Sequence, residues 1–365
     1  MSAIHSKTTS PLPRGFSLIE LMISLAIGMI LMLAIGYIYV GGSRVFRELE
    51  ATSRLQESAR YVMERIGRDL RMTGFAGCSY TTTANVLNNS SDWQNNLFGM
   101  PLVGFQEGSL GIPAQVAGQM LRGDVLIALL ADNSKEYIIA SHNPASAQFQ
   151  LTANHDLKQG EILLATDCSH AAVFQMTNVN NNNTIKTVNH NTGTGSPGNC
   201  TKGFGIPVDC ANPTGTAYTF VPGSRLYRVS ASAYYIQNNA SGEPALYRQK
   251  LGYASPNATL TAEEVVEGVE NMKITYGVDT DATPDGAVNS YVSAEQVSTV
   301  TPGATESEHW ARVISVNISL LMATRNDEQI ATEPQTYTFN GTSSVASDRR
   351  LYKVFNTTIA IRNRI

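Results

Sequence analysis

Four groups of residues in this sequence have types and spacings that could do chemistry. The first is a single carboxylate: Glu20 is the only charged side chain between Phe16 and Val40, in PRGFSLIELMISLAIGMILMLAIGYIYV. Placing a carboxylate in a membrane-like medium is costly, so such a residue implies a partner charge or a function. The second group is Asp279, Asp281 and Asp285 in GVDTDATPDGAVNSY. Alternating carboxylates in a tight loop are hard-oxygen ligands suited to Ca²⁺. The spacing departs from an EF-hand loop, because Thr283-Pro284 intrudes before Asp285 and the next acid is Glu295. Asp, Pro and Gly equally suit a turn between strands, and the turn is the preferred reading over a structural Ca²⁺ site.

The third group is Cys78, Cys168, Cys200 and Cys210. None forms a CxxC pair, which argues against a zinc ribbon or a thioredoxin-like motif. All four follow a segment able to export them, which favours disulfides. Four cysteines permit three pairings. The favoured one joins Cys200 to Cys210, closing a short loop with Gly and Pro, and Cys78 to Cys168, tying the end of a helix to a sheet. The fourth group is His142, His155, His170, His190 and His309, scattered in mostly polar contexts. No HExxH, GxSxG or P-loop spacing accompanies them, and the GTGSPG stretch at 193–198 lacks a following Lys-Ser/Thr. Neither an enzyme nor a cofactor is therefore expected.

These groups must be positioned by a chain of 365 residues that is 42% apolar, enough for a sizeable core, with a net charge of −4. No basic surplus points to nucleic acid, and direct nucleic-acid binding is not expected. Charged residues are 15% of the total, while Asn, Thr, Ser and Gly abound, which suits an exported, β-rich protein. The run from Phe16 to Val40 would cover roughly 37 Å as a helix, enough to cross a bilayer core of about 30 Å. Lys7 and Arg14 precede it, so the short N-terminus stays on the cytoplasmic side and the remainder is exported. The run is longer than the apolar part of a cleaved secretory signal, and only Ala34-Ile35-Gly36 approaches a cleavage site for one.

Beyond Gly41-Gly42, the residues Val45, Leu49, Thr52, Leu55, Ala59, Val62, Ile66 and Leu70 recur at three- and four-residue steps, predicting an amphipathic helix. Read with the apolar run, one helix extends over 17–72, with Gly28, Gly36, Gly41 and Gly42 as local weak points and Gly74 and Gly77 suited to ending it. After Cys78 the pattern becomes short β-rich runs between polar turns. Strands are predicted over 124–130, 136–140, 161–166, 172–177, 225–236, 245–249, 272–278, 311–323, 335–339 and 351–361. The Asn- and Gly-rich stretch from 178 to 200 reads as an exposed loop.

Arg14-Gly15-Phe16-Ser17-Leu18-Ile19-Glu20, at the head of a long apolar helix, resembles the class III signal of type IV prepilins. The resemblance implies that a prepilin peptidase cuts between Gly15 and Phe16 and N-methylates Phe16. It implies that the apolar stretch is kept as the mature N-terminal helix, and that Glu20 pairs with the terminal amine of a neighbouring subunit. Such pairing offsets the desolvation of both charges. RDLRMTGFAGC, TDCSHAAVFQMTNV, SRLYRVSASAYYIQ, LYRQKLG, VVEGVENMKITYGVDTD and ARVISVNISLLMATR together resemble the PilW-type minor pilins, which are related to the J-type pseudopilins of type II secretion. The implied fold is α+β and pilin-like: a long N-terminal helix, its first half membrane-spanning, on a large antiparallel β-rich domain.

The implied domains are a leader over 1–15, a membrane and methylation helix over 16–40, an amphipathic continuation over 41–74 and an exported domain over 75–365. The implied function is that of a non-catalytic minor pilin that primes assembly near the pilus tip and serves twitching, adhesion or DNA uptake. Its partners would be other minor pilins, the major pilin, a PilY-type tip adhesin, the prepilin peptidase and the inner-membrane assembly platform. It would reside first in the bacterial inner membrane with its domain in the periplasm, then in the pilus. Two alternatives stand beside it: a J-like pseudopilin, and, from another class, a membrane-anchored adhesin or ligand-binding module that never enters a fibre. Gly15-Phe16 and Glu20 argue against the latter.

Overall fold

A computed structural model describes Gly15, residues 17–178 and residues 186–364. It divides into two compact units, residues 1–53 and 54–365. The first element is a helix, α1, from Leu18 to Met72. It runs unbroken through Gly28, Gly36, Gly41 and Gly42, so the expected weak points do not interrupt it. Within the second unit the apolar stripe is buried: Leu55, Ala59, Val62, Ile66 and Leu70 are all at most 6% exposed. Residues three or four apart share a helix face, and this face closes the core. Val45 and Leu49, in the first unit, are exposed. The helix stops where Thr73 Oγ1 donates to the Asp69 carbonyl at 2.9 Å and Gly74 adopts a positive φ of 77°, a conformation glycine takes without steric cost.

The remainder of the second unit is β-rich. A ten-stranded sheet is built around the strands Arg122–Asn143 and Arg225–Asn238, which pair antiparallel. Arg225–Asn238 continues through Pro244–Ala254 to an edge strand, Asn257–Glu267. Its first residues, 225–228, pair with Ile162–Thr166, which leads through His170–Gln175 to Thr82–Asn85 in the one parallel pairing of that path. A second sheet has four strands in the order Ser290–Val292, Val269–Val278, Val313–Ala323, Tyr352–Ala360, all antiparallel. The runs predicted at 124–130 and 136–140 are one 22-residue strand, with a register shift between Asp132 and Tyr137. A bulge of this kind bends a strand without ending it.

The helix is fastened to the ten-stranded sheet by a buried polar cluster. Tyr234 Oη donates to Asp69 Oδ2 at 2.7 Å, and Arg248 Nη2 lies 3.3 Å from the same oxygen. Arg248 Nε also donates to Ser232 Oγ at 2.9 Å, and its Nη1 faces Glu263 at 3.3 Å. A buried carboxylate and guanidinium need such mutual satisfaction, since each alone would carry an uncompensated desolvation cost.

The histidines require a correction. Their sequence surroundings are polar, yet His142, His155, His170 and His190 are at most 8% exposed. His142, His170 and His190 pack against Phe149, Phe174, Phe204 and Phe220, and His155 lies edge-on to Tyr137. His142 stacks on Phe149 with ring centroids 4.1 Å apart. Its Nδ1 accepts from the Phe220 amide at 3.2 Å, which leaves Nε2–H to donate to His190 Nε2 at 3.1 Å. Burial pushes the His142 imidazole down to about 4. Burial, then the proximity of His142, pushes His190 well below its ordinary value. His142 and His190 thus share a ring–ring hydrogen bond, while His190 Nδ1 and His170 Nε2 are buried without a hydrogen-bond partner.

Candidate functional site

The first unit consists of the N-terminal part of α1 and the residues before it. Gly15 is exposed, and a β-carbon there would meet nothing within 4 Å. Phe16 lies outside the described residues. At the head of α1 the Ser17 amide donates to Glu20 Oε2 at 2.9 Å, and Ser17 Oγ accepts from the Ile19 amide at 3.4 Å. Free amides at a helix N-terminus need acceptors, and these two side chains supply one each. Ser24 Oγ donates to the Glu20 carbonyl at 2.6 Å. A carboxylate has about four acceptor positions, so the one bond from Ser17 leaves Glu20 able to receive an ammonium group as well. Around it the helix is apolar and exposed: Leu18, Ile19, Leu21, Met22, Ile23 and Leu25 are each more than half exposed. The helix is long and apolar enough to cross a membrane, and its most apolar window is wholly unburied.

In the structure both disulfides are formed, Cys78–Cys168 and Cys200–Cys210. The first fastens the segment that leaves α1 to the turn between the strands Ile162–Thr166 and His170–Gln175. Beside it Gly77 is required: a β-carbon there would sit 2.6 Å from the Tyr227 ring and 3.0 Å from Thr166 Cγ2. The second disulfide closes a loop of ten-residue separation whose first cysteine is anchored by its amide to the Val86 carbonyl at 2.8 Å.

Asp279, Asp281 and Asp285 are brought together, with one carboxylate oxygen of each within 4.8 Å of the others. The buried Asp279 carboxylate is already in use. Its Oδ1 accepts from the Asp281 amide at 3.0 Å, and its Oδ2 from the amides of Asp285 and Gly286 at 2.9 and 3.0 Å. Burial pushes the Asp279 carboxyl up, but the amides of Asp281, Gly286 and Asp285 outweigh it and hold it below its ordinary value. Arg312 adds a cation at the same loop, donating from Nη1 to the Asp281 carbonyl at 2.8 Å. Turn-closing amides thus use the Asp279 carboxylate and a guanidinium lies at the same loop, an arrangement that suits the turn.

The comparisons with known proteins agree with this arrangement. The family described as Prokaryotic N-terminal methylation motif matches residues 13–36. The family described as Type IV Pilus-assembly protein W matches residues 233–363, which include the whole four-stranded sheet. A Pilin-like protein PilA3 of Thermus thermophilus is 33% identical over 99 residues, 27% of this chain. The matched stretch spans 37% of that relative's length. No solved structure matches the chain. A methylation motif on a long apolar helix, followed by an antiparallel β-rich domain, defines a pilin-like α+β protein. With the C-terminal match, these findings support a type IV pilus minor pilin of the PilW type.

Proposed function

We propose that this chain is a structural, non-catalytic subunit that primes type IV pilus assembly at or near the tip. Prepilin peptidase cuts between Gly15 and Phe16 and methylates the new amine. The apolar first part of the helix Leu18–Met72 holds the subunit in the inner membrane with its β-rich domain in the periplasm, until the assembly platform passes it into the fibre. Its neighbours are other minor pilins and the major pilin, with a PilY-type adhesin at the tip. Twitching, adhesion or DNA uptake follows from the fibre.

The observation that carries this reading is Glu20 at the capped head of a helix whose apolar side chains are exposed all round. A helix apolar on every side must be buried by lipid or by other helices. Transfer from lipid into a bundle of like helices leaves the apolar surface covered throughout. The Glu20 carboxylate is costly in both media unless it meets a cation, and the amine created at Phe16 is the cation that processing supplies. Copurification from detergent-solubilised membranes tests the reading. A tagged chain should bring down other pilins of the same cell, and recovery of the chain alone, at normal abundance, would contradict it.

A further inference from the structure

The chain's two tryptophans, more than 200 positions apart in sequence, line one cavity of about 560 Å³ in the exported domain. Trp93 comes from a short turn, Trp93–Asn95. Trp310 comes from a short helix, Glu306–Ala311, whose N-terminus is closed by a capping box between Thr305 and Glu308. Phe105 adds a third aromatic ring from the end of the strand Leu102–Phe105. The Trp310 ring is set edge-on to Tyr276, with centroids 5.0 Å apart. Gly104, also in the lining, must lack a side chain, because a β-carbon there would collide with Tyr276 Oη. Ser307 Oγ donates to the Gly99 carbonyl and joins the short helix to the loop before Leu102–Phe105.

The charge of this lining is one-sided. Asp92, Glu295 and Glu306 contribute carboxylates, and among the described residues no Lys, Arg or His lines the cavity. Among the described residues none of the three makes an ion pair, and the side chains of Glu295 and Glu306 make no hydrogen bond. Two polar atoms of lining residues, Trp93 Nε1 and Gln94 Oε1, are buried without a hydrogen-bond partner.

We propose that this cavity receives a Lys or Arg side chain presented by an extended basic segment of a partner protein. Aromatic faces attract an ammonium or guanidinium group, and the unpaired carboxylates add the matching charge. A neutral sugar leaves three carboxylates together without a cation. The cavity volume is that of a pocket for a compact group, within the usual few hundred to about a thousand Å³. This inference does not rest on incorporation of the chain into a fibre.

Because no other tryptophan exists in the chain, intrinsic tryptophan fluorescence reports on this cavity alone. The full chain in a polyoxyethylene detergent is titrated with acetyl-lysine and acetyl-arginine methylamides and with a Gly-Lys-Gly-Arg peptide. Acetyl-norleucine methylamide serves as the neutral isostere and N-acetylglucosamine as the sugar. Saturable responses to the basic probes, weakened by added salt as expected for exposed charges, should exceed the norleucine response at least tenfold in affinity. The double variant Glu295→Gln/Glu306→Gln changes two exposed side chains and should fold normally. It should bind the basic probes roughly 3- to 10-fold more weakly. Trp93→Phe should remove part of the signal and lower affinity. Equal affinity for norleucine, a response to the sugar alone, no saturation by any basic probe, or unchanged affinity in the double Gln variant would each overturn the proposal.

Discussion

The Glu20 carboxylate accepts the backbone amide of Ser17 at 2.9 Å and thereby caps its own helix. Two roles therefore converge on one side chain, and they are separable by substitution. Glu20→Gln keeps an acceptor for the Ser17 amide but carries no charge, whereas Glu20→Ala loses both. Breaking a buried ion pair from one side costs about 3–5 kcal/mol. Both variants are expected to be inserted, processed and folded, yet to be lost from complexes with other pilins. Measured by copurification, the Gln variant should fail nearly as badly as the Ala variant. Wild-type recovery of Glu20→Gln would show that the charge at this position is dispensable.

Asp69 joins the helix to the large sheet through Tyr234 and Arg248. Asp69→Ala should destabilise the exported domain by about 3 kcal/mol, the low end for a broken buried pair, because Glu263 still faces Arg248. Asp69→Asn should cost less, since it can still accept from Tyr234. Urea denaturation followed by circular dichroism checks both values, and an unchanged midpoint for Asp69→Ala would contradict this view of the lock.

The buried histidines set a pH dependence with a definite sign. His142 is lowered by burial from 6.5 to about 4, and His190 is lowered well below 6.5. The unfolded chain then binds protons that the folded chain refuses. Stability is full above about pH 6.5 and declines as pH falls toward about 4. Each imidazole still neutral in the folded state at pH 5 costs about 2 kcal/mol relative to pH 7.5. Urea midpoints measured at those two values should show the loss, and a midpoint that rises on acidification would contradict it.

The disulfides should differ in weight. Cys78 and Cys168 are 90 residues apart, Cys200 and Cys210 ten. In the chain-entropy model the first contributes about 4–5 kcal/mol and the second about 3 kcal/mol. The double variant Cys78→Ser/Cys168→Ser should therefore unfold at lower denaturant than Cys200→Ser/Cys210→Ser. The reverse order would mean that effects in the folded state outweigh loop closure.

What was legible in the sequence was local. Gly15, Phe16 and Glu20 lie within six positions, and the helix Leu18–Met72 announces itself by an apolar run and then a stripe. The strand Arg225–Asn238 was clear because it is β-branched, aromatic and largely buried. Asn257–Glu267 was missed because it is an edge strand with no fully buried residue, so the burial that writes an alternating pattern is absent. The histidine core and the tryptophan cavity were also invisible. His142 meets His190 across 48 positions, and Trp93 joins Trp310 only through the packing of three separate segments. Nothing in either local stretch marks the other.

The most direct measurement is mass spectrometry of fibres sheared from the cell surface and washed free of membrane. The expected result is a peptide of this chain beginning at Phe16 and carrying one methyl group on its amine, in fibres that also contain other pilins. A Gly15→Val chain should contribute no such peptide. Detection of the chain only in membranes, or of a chain in fibres that still begins before Gly15, would contradict a processed pilus subunit.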